Sequence, residues 1–370
     1  MNFIQIVPEV SPAICGVGDY ALILARKLRA SRGWITTFAV SQPNPGQTEI
    51  EGFPVLSLED HSAKSVAATL ASFDLVLLHY VSYGYQKRGC PRWLHAGLAK
   101  WRQQNPENRL LTMFHELYAT ESPARFWKSA FWTSPIQFAI CQDLSRLSDS
   151  QVTNRQDSSR RLTSMSGVTN ITSLPVFSNI GEPDATPPMA ERKNQLVIFG
   201  GRGWRTKALT VDLPDLQDVC RRWQIEEVLE IGGGETPEVT LDVSMRKLGP
   251  LDAEDVSAHL LESRYGFSCC PSDCLEKSGV FAAYAAHGVA PVLPKHHIIP
   301  ESLGINASRH LRCAEEDPPD LDRLETYRQD VFSWYQTHTT QDHAKLFEKK
   351  LEALKSAVPP NQTTERPTDR

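Results

Sequence analysis

The sequence has no apolar stretch long enough to cross a bilayer, no basic leader and little excess of either charge. No uninterrupted apolar run approaches the ~18 residues of a membrane-spanning helix, and the opening MNFIQIVPEV is typical of a first β-strand. The 370 residues carry a net charge of −5, which gives no electrostatic reason to expect nucleic acid or an anionic membrane as the main partner. We therefore expect a cytoplasmic globular protein.

Motifs for metals, disulfides and dinucleotides are missing as well. The eight cysteines include no C-x-x-C pair and the eleven histidines no H-x-x-x-H spacing, so we assign no metal and no disulfide framework. Cys269 and Cys270 are expected to end a buried strand as small hydrophobic residues. No full G-x-G-x-x-G follows a strand, which argues against a nicotinamide-dependent dehydrogenase.

What the sequence does contain is a regular alternation of short apolar runs and helical patterns. The alternation predicts an α/β fold of strand–helix units with parallel sheets, and the set of units repeats once. The predicted strands are NFIQIV, ITTFAV, DLVLLHY, LLTMFH and QFAIC in the first half, and QLVIFGG, EEVLEIGG, YGFSCC and VAPVLP in the second.

Chain length and composition together predict two domains. The length exceeds the size at which one hydrophobic core stops growing, and a segment rich in proline and charge lies between the halves. The predicted organisation is an N-terminal acceptor-side domain over 1–177, a linker over 178–194, a nucleotide-sugar-binding domain over 195–317, a helical segment over 318–356 and a disordered tail over 357–370. Two doubly wound, Rossmann-like domains facing each other would form a cleft at the carboxyl ends of their strands.

The first candidate site is the turn in PEVSPAICGVGDYALILARKL, residues 8–28. Gly16 and Gly18 stand where a helix begins, and glycine lets a ligand approach where a Cβ would collide. The helix start also directs backbone N–H groups and a positive dipole end at that ligand. A plain strand-to-helix turn explains the same pattern. If the turn is a site, a valine at either glycine is expected to obstruct the ligand and leave the fold intact.

The second candidate site is FGGRGWRTKAL, residues 199–209. Arg202 and Lys207 stand beside glycines at the end of a predicted strand, and guanidinium and ammonium groups in such a place suit a diphosphate. Arg205 and the helix start add to this anion-binding pattern. A solvated basic loop is the alternative reading.

The third candidate site is PSDCLEKSGVFAAYAAHGVAPVLP, residues 271–294. Ser278 is expected to cap the helix that follows, and Lys277 adds positive charge beside the N–H groups of its first turn. Glu276 and Gly279 flank these two residues. The helix itself is rich in alanine, which favours close packing on a sheet.

These three segments resemble the retaining glycosyltransferases of the GT-B fold, which use nucleotide-sugar donors. CGVGDYALILARKL is similar to the family's G-G-V-G-x-Y-x-x-x-L-A, GRGWRTK to its G-R-x-x-x-x-K, and PSDCLEKSGVFAAYAAHGVAPVL to its P-S-x-x-E segment followed by A-x-G-x-P-V. LPVFSNI resembles the I-P-x-G-x-N-x piece that closes the first domain. The matches occur in the family's order over both halves, so the resemblance implies two Rossmann-like domains facing each other across a cleft.

The resemblance also implies roles for individual residues. Arg202 and Lys207 would hold the donor diphosphate, Gly16 and Gly18 would let the first domain close over sugar and phosphate, and Gly249 would lie near the base. Further donor-binding positions implied by the match are Lys277, Ser278 and Gly279.

Two residues are implied to be catalytic. Glu276 would lie near the sugar hydroxyls. His115, in MFHELY at the end of a first-domain strand, would act near the transferred sugar. A packing role is the alternative for His115, because a His–Glu pair at a strand end is also a common packing solution.

One departure from the family concerns the second glutamate of its acidic motif, which contacts the donor ribose. Counting from Glu276 places Tyr284 there, whereas alignment on Gly288 places Leu275 and Ala283 at the two acidic positions. The ribose carboxylate is missing either way, so a backbone group or Tyr284 would have to replace it, or the donor differs.

The function predicted from the resemblance is transfer of a hexosyl group from a nucleotide sugar to an acceptor hydroxyl, with retention and without a metal or a separate cofactor. The alternative is a sugar-nucleotide-binding protein of the same fold with weak or lost catalysis, and a nucleotide-sugar epimerase is a third candidate. A UDP-, GDP- or ADP-sugar is an example of such a donor, and the sequence does not identify the nucleotide. No nucleic-acid partner is expected.

The acceptor remains open among glycans, lipid-linked molecules and small molecules. Residues 81–93, VSYGYQKRGCPRW, are predicted to form an acceptor-side loop. Lys87 and Arg88 would meet an acidic acceptor or a membrane surface, which allows peripheral membrane contact; a solvated loop is the alternative. The aromatic residues expected to stack on sugar faces are Tyr80, Tyr83, Tyr85 and Trp93.

Overall fold

The chain divides into two compact units. The computed structural model describes residues 1–13, 15–119, 129–297, 303, 305, 311–312 and 319–356. The first unit comprises Met1–Ser173 and the chain from Ala344 onward, and the second comprises Leu174–His343. The expected tail over 357–370 lies outside the described residues.

The first unit is built on an eight-stranded sheet in the order β3-β4-β2-β1-β5-β6-β7-β8. All neighbours are parallel except β3 and β4. The chain goes from β1 to β2 on one side and later places β5 on the other, so the strand order reverses between β1 and β5. The strands are Asn2–Val7 (β1), Ile35–Val40 (β2), Glu49–Ile50 (β3), Phe53–Ser57 (β4), Leu75–Tyr80 (β5), Arg109–Phe114 (β6), Ser150–Thr153 (β7) and Ile171–Ser173 (β8).

Helices connect these strands. All six residues of β5 are buried, as expected for a parallel strand whose two faces are both covered. The last helix of the described residues returns to this unit, where Arg32 pairs with Glu348 at 3.0 Å. The helices are Gly16–Arg32 (α1), Ala63–Thr69 (α2), Ser82–Tyr85 (α3), Arg92–Gln104 (α4), Ser129–Leu147 (α5) and Gln156–Ser166 (α6).

One predicted strand is wrong. QFAIC, residues 137–141, lies inside helix α5. The buried positions of this helix follow the spacing of a helix face rather than a strand, because they recur at intervals of three and four residues. Five residues were too short a window to show that period. The buried positions are Gln137, Ile140, Cys141, Leu144 and Ser145.

The second unit is built on a six-stranded parallel sheet in the order β11-β10-β9-β12-β13-β14. Its order reverses between β9 and β12, which are neighbours in the sheet although two strands separate them in sequence. The strands are Lys193–Phe199 (β9), Glu227–Ile231 (β10), Ser244–Gly249 (β11), Ser263–Phe267 (β12), Ala290–Leu293 (β13) and Leu311–Arg312 (β14).

The helices of the second unit complete a doubly wound arrangement. They are Arg202–Ala208 (α7), Leu213–Arg222 (α8), Ala253–Glu262 (α9), Gly279–Ala286 (α10) and Leu321–Tyr335 (α11), and the helix Thr340–Ser356 (α12) starts here. Short 3₁₀ helices occupy Met189–Glu191 and Ser272–Lys277. Apart from QFAIC, every predicted strand is confirmed, and both halves have the predicted parallel α/β architecture.

The segment over 178–194, which composition suggested as a linker, is tied into the second unit. Glu182 accepts hydrogen bonds from the hydroxyls of Tyr335 (2.7 Å) and Thr340 (2.6 Å). Arg192 is buried, and its guanidinium donates to the carbonyl oxygens of Leu260 and His287, near the carboxyl ends of α9 and α10. A cation there compensates the negative ends of two helix dipoles. The N-terminal part of the first unit already ends at Ser173, before this segment.

Among the described residues, no helix is both long enough and apolar enough to span a membrane.

A buried histidine in the second unit predicts a pH dependence of stability. Burial lowers the pKa of His343 to about 4, although its bond to the Pro175 carbonyl and the charge of Asp342 act in the other direction. An unfolded histidine takes up a proton near pH 6.5, so between pH 6.5 and 4 the unfolded chain binds more protons than the folded one. The free energy of unfolding therefore decreases as the pH is lowered through this window, by up to about 1.4 kcal/mol per pH unit for this group.

His343→Phe is expected to reduce that slope, since phenylalanine keeps a ring against Phe177, which lies 4.9 Å away between centroids. Urea unfolding at several pH values between 6.5 and 4.5 measures the slope. His259→Gln, a change at a partly exposed histidine on α9, is the control. An unchanged slope in His343→Phe would contradict the buried neutral state of this histidine.

Candidate functional site

The glycine turn of the first unit leads from β1 into α1, which begins at Gly16. The Cys15 sulfur accepts a hydrogen bond from the Gly18 N–H at 3.5 Å and so caps the helix. A Cβ at Gly18 would overlap the carbonyl oxygen of Glu9. Gly18 therefore has a packing reason of its own, and the expectation that Gly18→Val leaves the fold intact is wrong. The ligand roles of Gly16 and Gly18 stay predictions.

His115 lies directly after β6 and is 8% exposed. Its backbone N–H donates to the Tyr80 carbonyl (2.9 Å), and its own carbonyl accepts a hydrogen bond from the Asn154 side-chain amide (3.1 Å). These two bonds fix the end of the strand. Its ring Nε2 lies 3.1 Å from Nδ1 of His79, a fully buried residue of β5 that was not singled out in the sequence. DLVLLHY offers no signal for that partner beyond a polar residue inside an apolar strand.

Tyr20 joins the glycine turn to these histidines. It stands in the first turns of α1, and its ring meets the His115 ring edge-on at 5.0 Å and the His79 ring at 5.7 Å between centroids. The tyrosine of the motif CGVGDY thus packs on the candidate catalytic histidine. The structure brings together the first-unit residues that sequence placed in one site, at the carboxyl ends of β1, β5 and β6.

In the second unit, Arg202 and Lys207 lie on α7, which follows the glycines after β9. Arg202 is exposed, and its Nε donates to the Glu235 carbonyl at 2.8 Å. The Lys207 ammonium is half-buried; it donates to the Cys269 carbonyl at 2.9 Å and lies 3.2 Å from a carboxylate oxygen of Asp212. The buried Asp212 was not singled out in the sequence. It is the counter-ion of Lys207, the residue predicted to bind the donor diphosphate.

Arg205 has a different place from the one expected. It is 2% exposed and forms an ion pair with Glu230, which is 1% exposed. Its remaining N–H groups donate to the carbonyls of Gly200 (2.9 Å) and Gly233. Because these contacts engage the guanidinium inside the protein, Arg205 does not join the anion-binding pattern and instead holds two glycine loops together.

The segment 271–279 meets the α7 loop. Ser278 caps α10 as predicted, since its Oγ accepts from the Phe281 N–H at 3.2 Å. A Cβ at Gly200, before α7, would lie 2.6 Å from the side chain of Val280, in the first turn of α10. A Cβ at Gly279 would meet no described atom within 4 Å. The starts of α7 and α10 therefore adjoin at the point where the strand order reverses between β9 and β12.

Three further predicted site residues, the candidate catalytic Glu276 and the candidate donor-binding Lys277 and Gly249, lie at or near the carboxyl ends of these strands. Glu276 and Lys277 are half-buried at the end of the 3₁₀ helix before α10, and the Glu276 carbonyl accepts from the Val176 N–H at 2.9 Å. Gly249 ends β11 with φ +72°, a conformation that favours glycine, and its carbonyl accepts from the Gly232 N–H at 2.8 Å. Their roles toward a donor stay predictions.

The place of the family's second glutamate is part of the core. Tyr284 is fully buried; its hydroxyl donates to the Val197 carbonyl (3.0 Å) and accepts from the Phe199 N–H (3.3 Å). A Cβ at Gly266 would lie 2.7 Å from its ring. Ala283 is buried as well. The suggestion that Tyr284 holds a ribose is therefore wrong, because its hydroxyl is engaged between strands.

The predicted acceptor-side loop over 81–93 contains helix α3 and the start of α4. Tyr80 and Tyr85 are buried core residues, so the expectation that they stack on sugar faces is wrong. Tyr83 is 44% exposed. Trp93 is half-buried and stacks on His61 at 4.7 Å between ring centroids. Lys87 and Arg88 are exposed, and their contact with an acceptor or a membrane surface stays a prediction.

Clusters of three or more histidine, cysteine or acidic side chains that could hold a metal ion do not occur in the described part of the chain. Cys269 and Cys270 follow β12 and are buried, and burial raises the pKa of Cys270 to about 11. They behave as the small buried residues that the sequence predicted. Cys313 lies outside the described residues.

Comparison with known proteins defines the fold. Neither a protein-family model nor a curated protein matches the sequence. Solved structures do match. An alpha-glucosyltransferase in complex with UDP and a 13-mer DNA containing an HMU base is similar with a TM-score of 0.59 and 10% identity, covering 96% of this chain and 99% of that one.

Two further structures agree with that match. They are an alpha,alpha-trehalose 6-phosphate synthase from Burkholderia multivorans (TM-score 0.57, 11% identity, 100% of this chain and 99% of that one) and a putative UDP-N-acetylglucosamine 2-epimerase from Listeria monocytogenes (0.51, 15%, 100% and 99%). The match extends over nearly the whole chain in each case. The protein therefore has the GT-B fold, as the resemblance implied.

The close approach at Gly18 yields a test that does not depend on any ligand. Gly18→Ala is expected to lower the free energy of unfolding by about 1–3 kcal/mol, because the new Cβ overlaps the Glu9 carbonyl and the backbone must shift. Gly203→Ala, inside α7 with no described atom within 4 Å of its Cβ, is the control and should cost nothing. Urea unfolding followed by circular dichroism measures both. Equal stabilities would contradict the packing explanation for Gly18.

Proposed function

We propose that this protein is a glycosyltransferase that moves a hexosyl group from a nucleotide sugar to an acceptor hydroxyl, with retention and without a metal ion. The observation that carries the proposal is the strand-order reversal between β9 and β12. There the α7 cations Arg202 and Lys207 adjoin the Ser278-capped start of α10. Ligands of open α/β sheets bind outside the carboxyl ends of the strands at such a point.

The chemistry of this edge suits a diphosphate leaving group. Arg202 supplies an exposed guanidinium, Lys207 an ammonium, and α10 the positive end of its dipole. As the bond between sugar and diphosphate breaks, negative charge grows on the diphosphate, and fixed cations stabilise it more than they stabilise the intact donor. A divalent ion would supply the same charge, so metal independence is part of the proposal and is tested by chelation.

The paired state of Lys207 shapes this proposal. Its ammonium rests between Asp212 and the Cys269 carbonyl at hydrogen-bond distances. Asp212 thereby holds Lys207 at the carboxyl ends of the strands. A bound diphosphate would share the Lys207 ammonium with Asp212.

In the first unit, His115 is the proposed catalytic residue, near the transferred sugar. The proposed acceptor is a hydroxyl of a glycan, a lipid-linked molecule or a small molecule. The exposed residues Tyr83, Lys87 and Arg88 are candidates to contact it or a membrane surface. DNA belongs to one neighbour of this fold; for this chain we retain the proposal of no nucleic-acid partner, since its net charge is −5.

Two other functions have an observation in their favour. The core placement of Ala283 and Tyr284 leaves no carboxylate at the family's ribose position, which favours a sugar-nucleotide-binding protein without catalysis. One neighbour of this fold is a putative epimerase. Incubation with UDP-, GDP- and ADP-sugars separates the three: a transferase releases the nucleoside diphosphate, an epimerase yields an isomeric sugar, and a binding protein leaves the donor unchanged.

The cations give the most direct test of the donor site. Arg202→Gln and Lys207→Met each remove one charge-assisted contact, so the affinity for a nucleoside diphosphate should fall roughly ten- to a hundredfold. The nucleoside makes no diphosphate contact and should bind equally to all variants. Calorimetric titration with UDP, GDP and ADP, each beside its nucleoside, measures this difference.

Two controls belong to this titration. Lys193→Met removes an exposed lysine that pairs with Glu262 on the same unit, and it should leave diphosphate binding unchanged. Lys207→Met also leaves the buried Asp212 without its cation, so Lys207→Met with Asp212→Asn separates loss of the ligand contact from loss of the ion pair. Wild-type diphosphate affinity in Arg202→Gln and in the double variant would remove the physical support for the transferase.

His115→Ala tests the first-unit half of the proposal. Donor turnover should fall roughly ten- to a thousandfold with little change in diphosphate affinity, because a group that acts mainly in the transition state affects turnover rather than ground-state binding. Release of nucleoside diphosphate is measured with and without a chelator, and NMR of the product gives its anomeric configuration. His95→Asn, at a half-buried histidine on α4, is the control. If diphosphate binding and thermal stability collapse together in His115→Ala, the residue is a packing histidine.

A further inference from the structure

A fully buried glutamine on α5, Gln137, ties the predicted acceptor-side loop over 81–93 to the rest of the first unit. Its Oε1 accepts from the N–H of Ala119, in the segment that follows β6, at 2.8 Å. Its Nε2 lies 3.0 Å from the Tyr83 hydroxyl and 3.0 Å from the Arg88 carbonyl oxygen. One amide therefore joins α5 to the segment after β6, to helix α3 and to the loop before α4.

These partners determine which end of the amide faces the loop. A backbone N–H only donates and a carbonyl oxygen only accepts, so Ala119 fixes the Oε1 end of Gln137 and Arg88 fixes its Nε2 end. Because an amide nitrogen only donates, the Tyr83 oxygen is the acceptor in its contact with Nε2. The Thr133 hydroxyl, at 3.2 Å, is the longest contact of the same nitrogen. The hydroxyl hydrogen of Tyr83 is thus left for another acceptor, and no described residue provides one.

The backbone around Tyr83 is held on both sides. Gly89 has φ +68°, a conformation that favours glycine, and a Cβ there would lie 2.6 Å from Nε2 of Gln137. Two residues after Tyr83, the Tyr85 hydroxyl lies 2.8 Å from the carbonyl oxygen of His79, inside β5. Tyr83 itself is 44% exposed, so its hydroxyl belongs to a side chain that solvent and ligands can reach.

Two exposed arginines of the loop carry positive charge without a described counter-ion. Arg88 and Arg92 form no ion pair within the described part of the chain, whereas Arg102 on α4 pairs with Asp149. Burial raises the pKa of the Cys90 thiol, and the charges of Arg92 and Arg88 oppose that rise, so both charges act on the same sulfur. Neighbouring like charges repel each other, and a bound anion would relieve the repulsion.

The loop follows the carboxyl end of β5, where the strand order of the first sheet reverses and such sheets bind ligands. We propose that it binds an acceptor sugar with an anionic substituent, a phosphate or a carboxylate. The Tyr83 hydroxyl donates a hydrogen bond to this sugar, and Arg88 and Arg92 pair with its anionic group. Gln137 is the positioning residue that fixes the loop and orients the hydroxyl. That the sugar is an acceptor rests on the proposed function; that the loop binds it does not.

An oriented hydroxyl distinguishes this site from a membrane-binding patch. An anionic membrane attracts positive charge wherever it stands on the surface, whereas a hydroxyl whose oxygen is held by a buried amide recognises one atom of one ligand. Guanidinium groups form paired hydrogen bonds with phosphate and with carboxylate, so both kinds of anionic sugar belong to the class.

Binding of simple sugars tests the class of ligand. NMR titration compares the 6-phosphates of glucose, mannose and galactose with their parent hexoses, and glucuronate with glucose. At least one anionic sugar should bind roughly tenfold more tightly than its parent, and Arg88→Gln and Arg92→Gln should each remove most of that difference. Lys100→Gln, at an exposed cation further along α4, is the matched control and should change nothing.

Three results of this titration would overturn the proposal. The first is that no anionic sugar binds more tightly than its parent hexose. The second is that Arg202→Gln weakens the anionic sugar and Arg88→Gln does not, which would place the anion at the cations of the second unit. The third is binding to phosphatidylglycerol vesicles that needs Arg88 and Arg92 without any binding of an anionic sugar, which would show a membrane patch.

Two variants test the positioning role. Tyr83→Phe removes one hydroxyl from an exposed side chain, so affinity for the anionic sugar should fall roughly three- to tenfold with unchanged thermal stability. Gln137→Met keeps an unbranched side chain and releases the loop, so its loss should be at least as large. The double variant should bind no more weakly than Gln137→Met alone. Additive losses, or wild-type affinity in Tyr83→Phe, would overturn the positioning of a donating hydroxyl.

Hydrogen exchange follows the loop without any ligand. Gln137→Met should speed exchange of the backbone N–H groups of residues 82–90 roughly tenfold, because the loop loses its buried anchor, and should leave those of residues 93–104 on α4 as they are. Unchanged exchange over 82–90 in the folded variant would overturn the role of Gln137.

Turnover separates this inference from the proposed function. The anionic sugar that binds should raise release of nucleoside diphosphate from a nucleotide sugar more than its parent hexose does, and Tyr83→Phe should raise KM for that sugar while KM for the donor stays unchanged. Equal stimulation by the parent hexose would overturn the inference and leave the proposed function in place. If no nucleotide sugar is turned over while binding still depends on Tyr83 and Arg88, the proposed function fails and the binding site remains.

Discussion

The buried ion pair between Arg205 and Glu230 is the contact on which the candidate donor site depends. Two charges removed from water are costly unless each finds further partners. Here the guanidinium also donates to the carbonyls of Gly200 and Gly233, and the carboxylate accepts from the Thr236 hydroxyl at 2.8 Å. The loops after β9 and β10 are thereby joined, and α7 starts from one of them. This ion pair positions the start of α7, and with it the exposed Arg202 and the half-buried Lys207. Of the three cations in GRGWRTK, Arg205 therefore supports the loops from inside the protein, whereas Arg202 and Lys207 lie at the carboxyl ends of the strands.

The sheet of the first unit also contains buried, hydrogen-bonded polar side chains, but they are neutral ones. Gln5 and His79 lie inside β1 and β5 as Glu230 lies inside β10, and all three side chains are buried. A polar group inside a parallel sheet requires an exact partner, because both faces of the sheet are covered and water cannot replace a lost bond. Each such group therefore defines the geometry of the strand ends above it. In the second unit these buried contacts join the two glycine loops directly, because Arg205 donates to the carbonyls of Gly200 and Gly233.

The sequence predicted those features that depend on local pattern. Apolar runs separated by helical patterns led to the parallel sheets, and the glycines and Ser278 led to the helix starts, since each of these rules concerns neighbouring residues. Contacts between distant strands were beyond its reach. Nothing in DLVLLHY shows that His79 meets His115, and nothing in GRGWRTK distinguishes Arg205, whose partner Glu230 comes 25 residues later. The strand predicted at QFAIC was wrong for a related reason, because the helical period appears only over a window longer than those five residues. The predicted stacking of Tyr80 and Tyr85 on sugar faces was wrong because sequence alone does not show which aromatic residues near a loop are buried.

The missing ribose carboxylate is a property of the whole α10 contact and not of one position. Tyr284 fills the space that Gly266 leaves open and bonds to the backbone of β9, while the small Ala283 lies against the core cluster beside it. A glutamate at either position would place its carboxylate in the core without a cation, which is costly. Restoring the family's glutamate would therefore destabilise the packing of α10 on the sheet and would not bring the carboxylate to a ligand. The inward face of α10 is thus committed to packing. Recognition of a ribose by this protein would have to come from groups at the strand ends, where the Gly249 carbonyl accepts a hydrogen bond from the Gly232 N–H and the Glu235 carbonyl accepts one from Arg202.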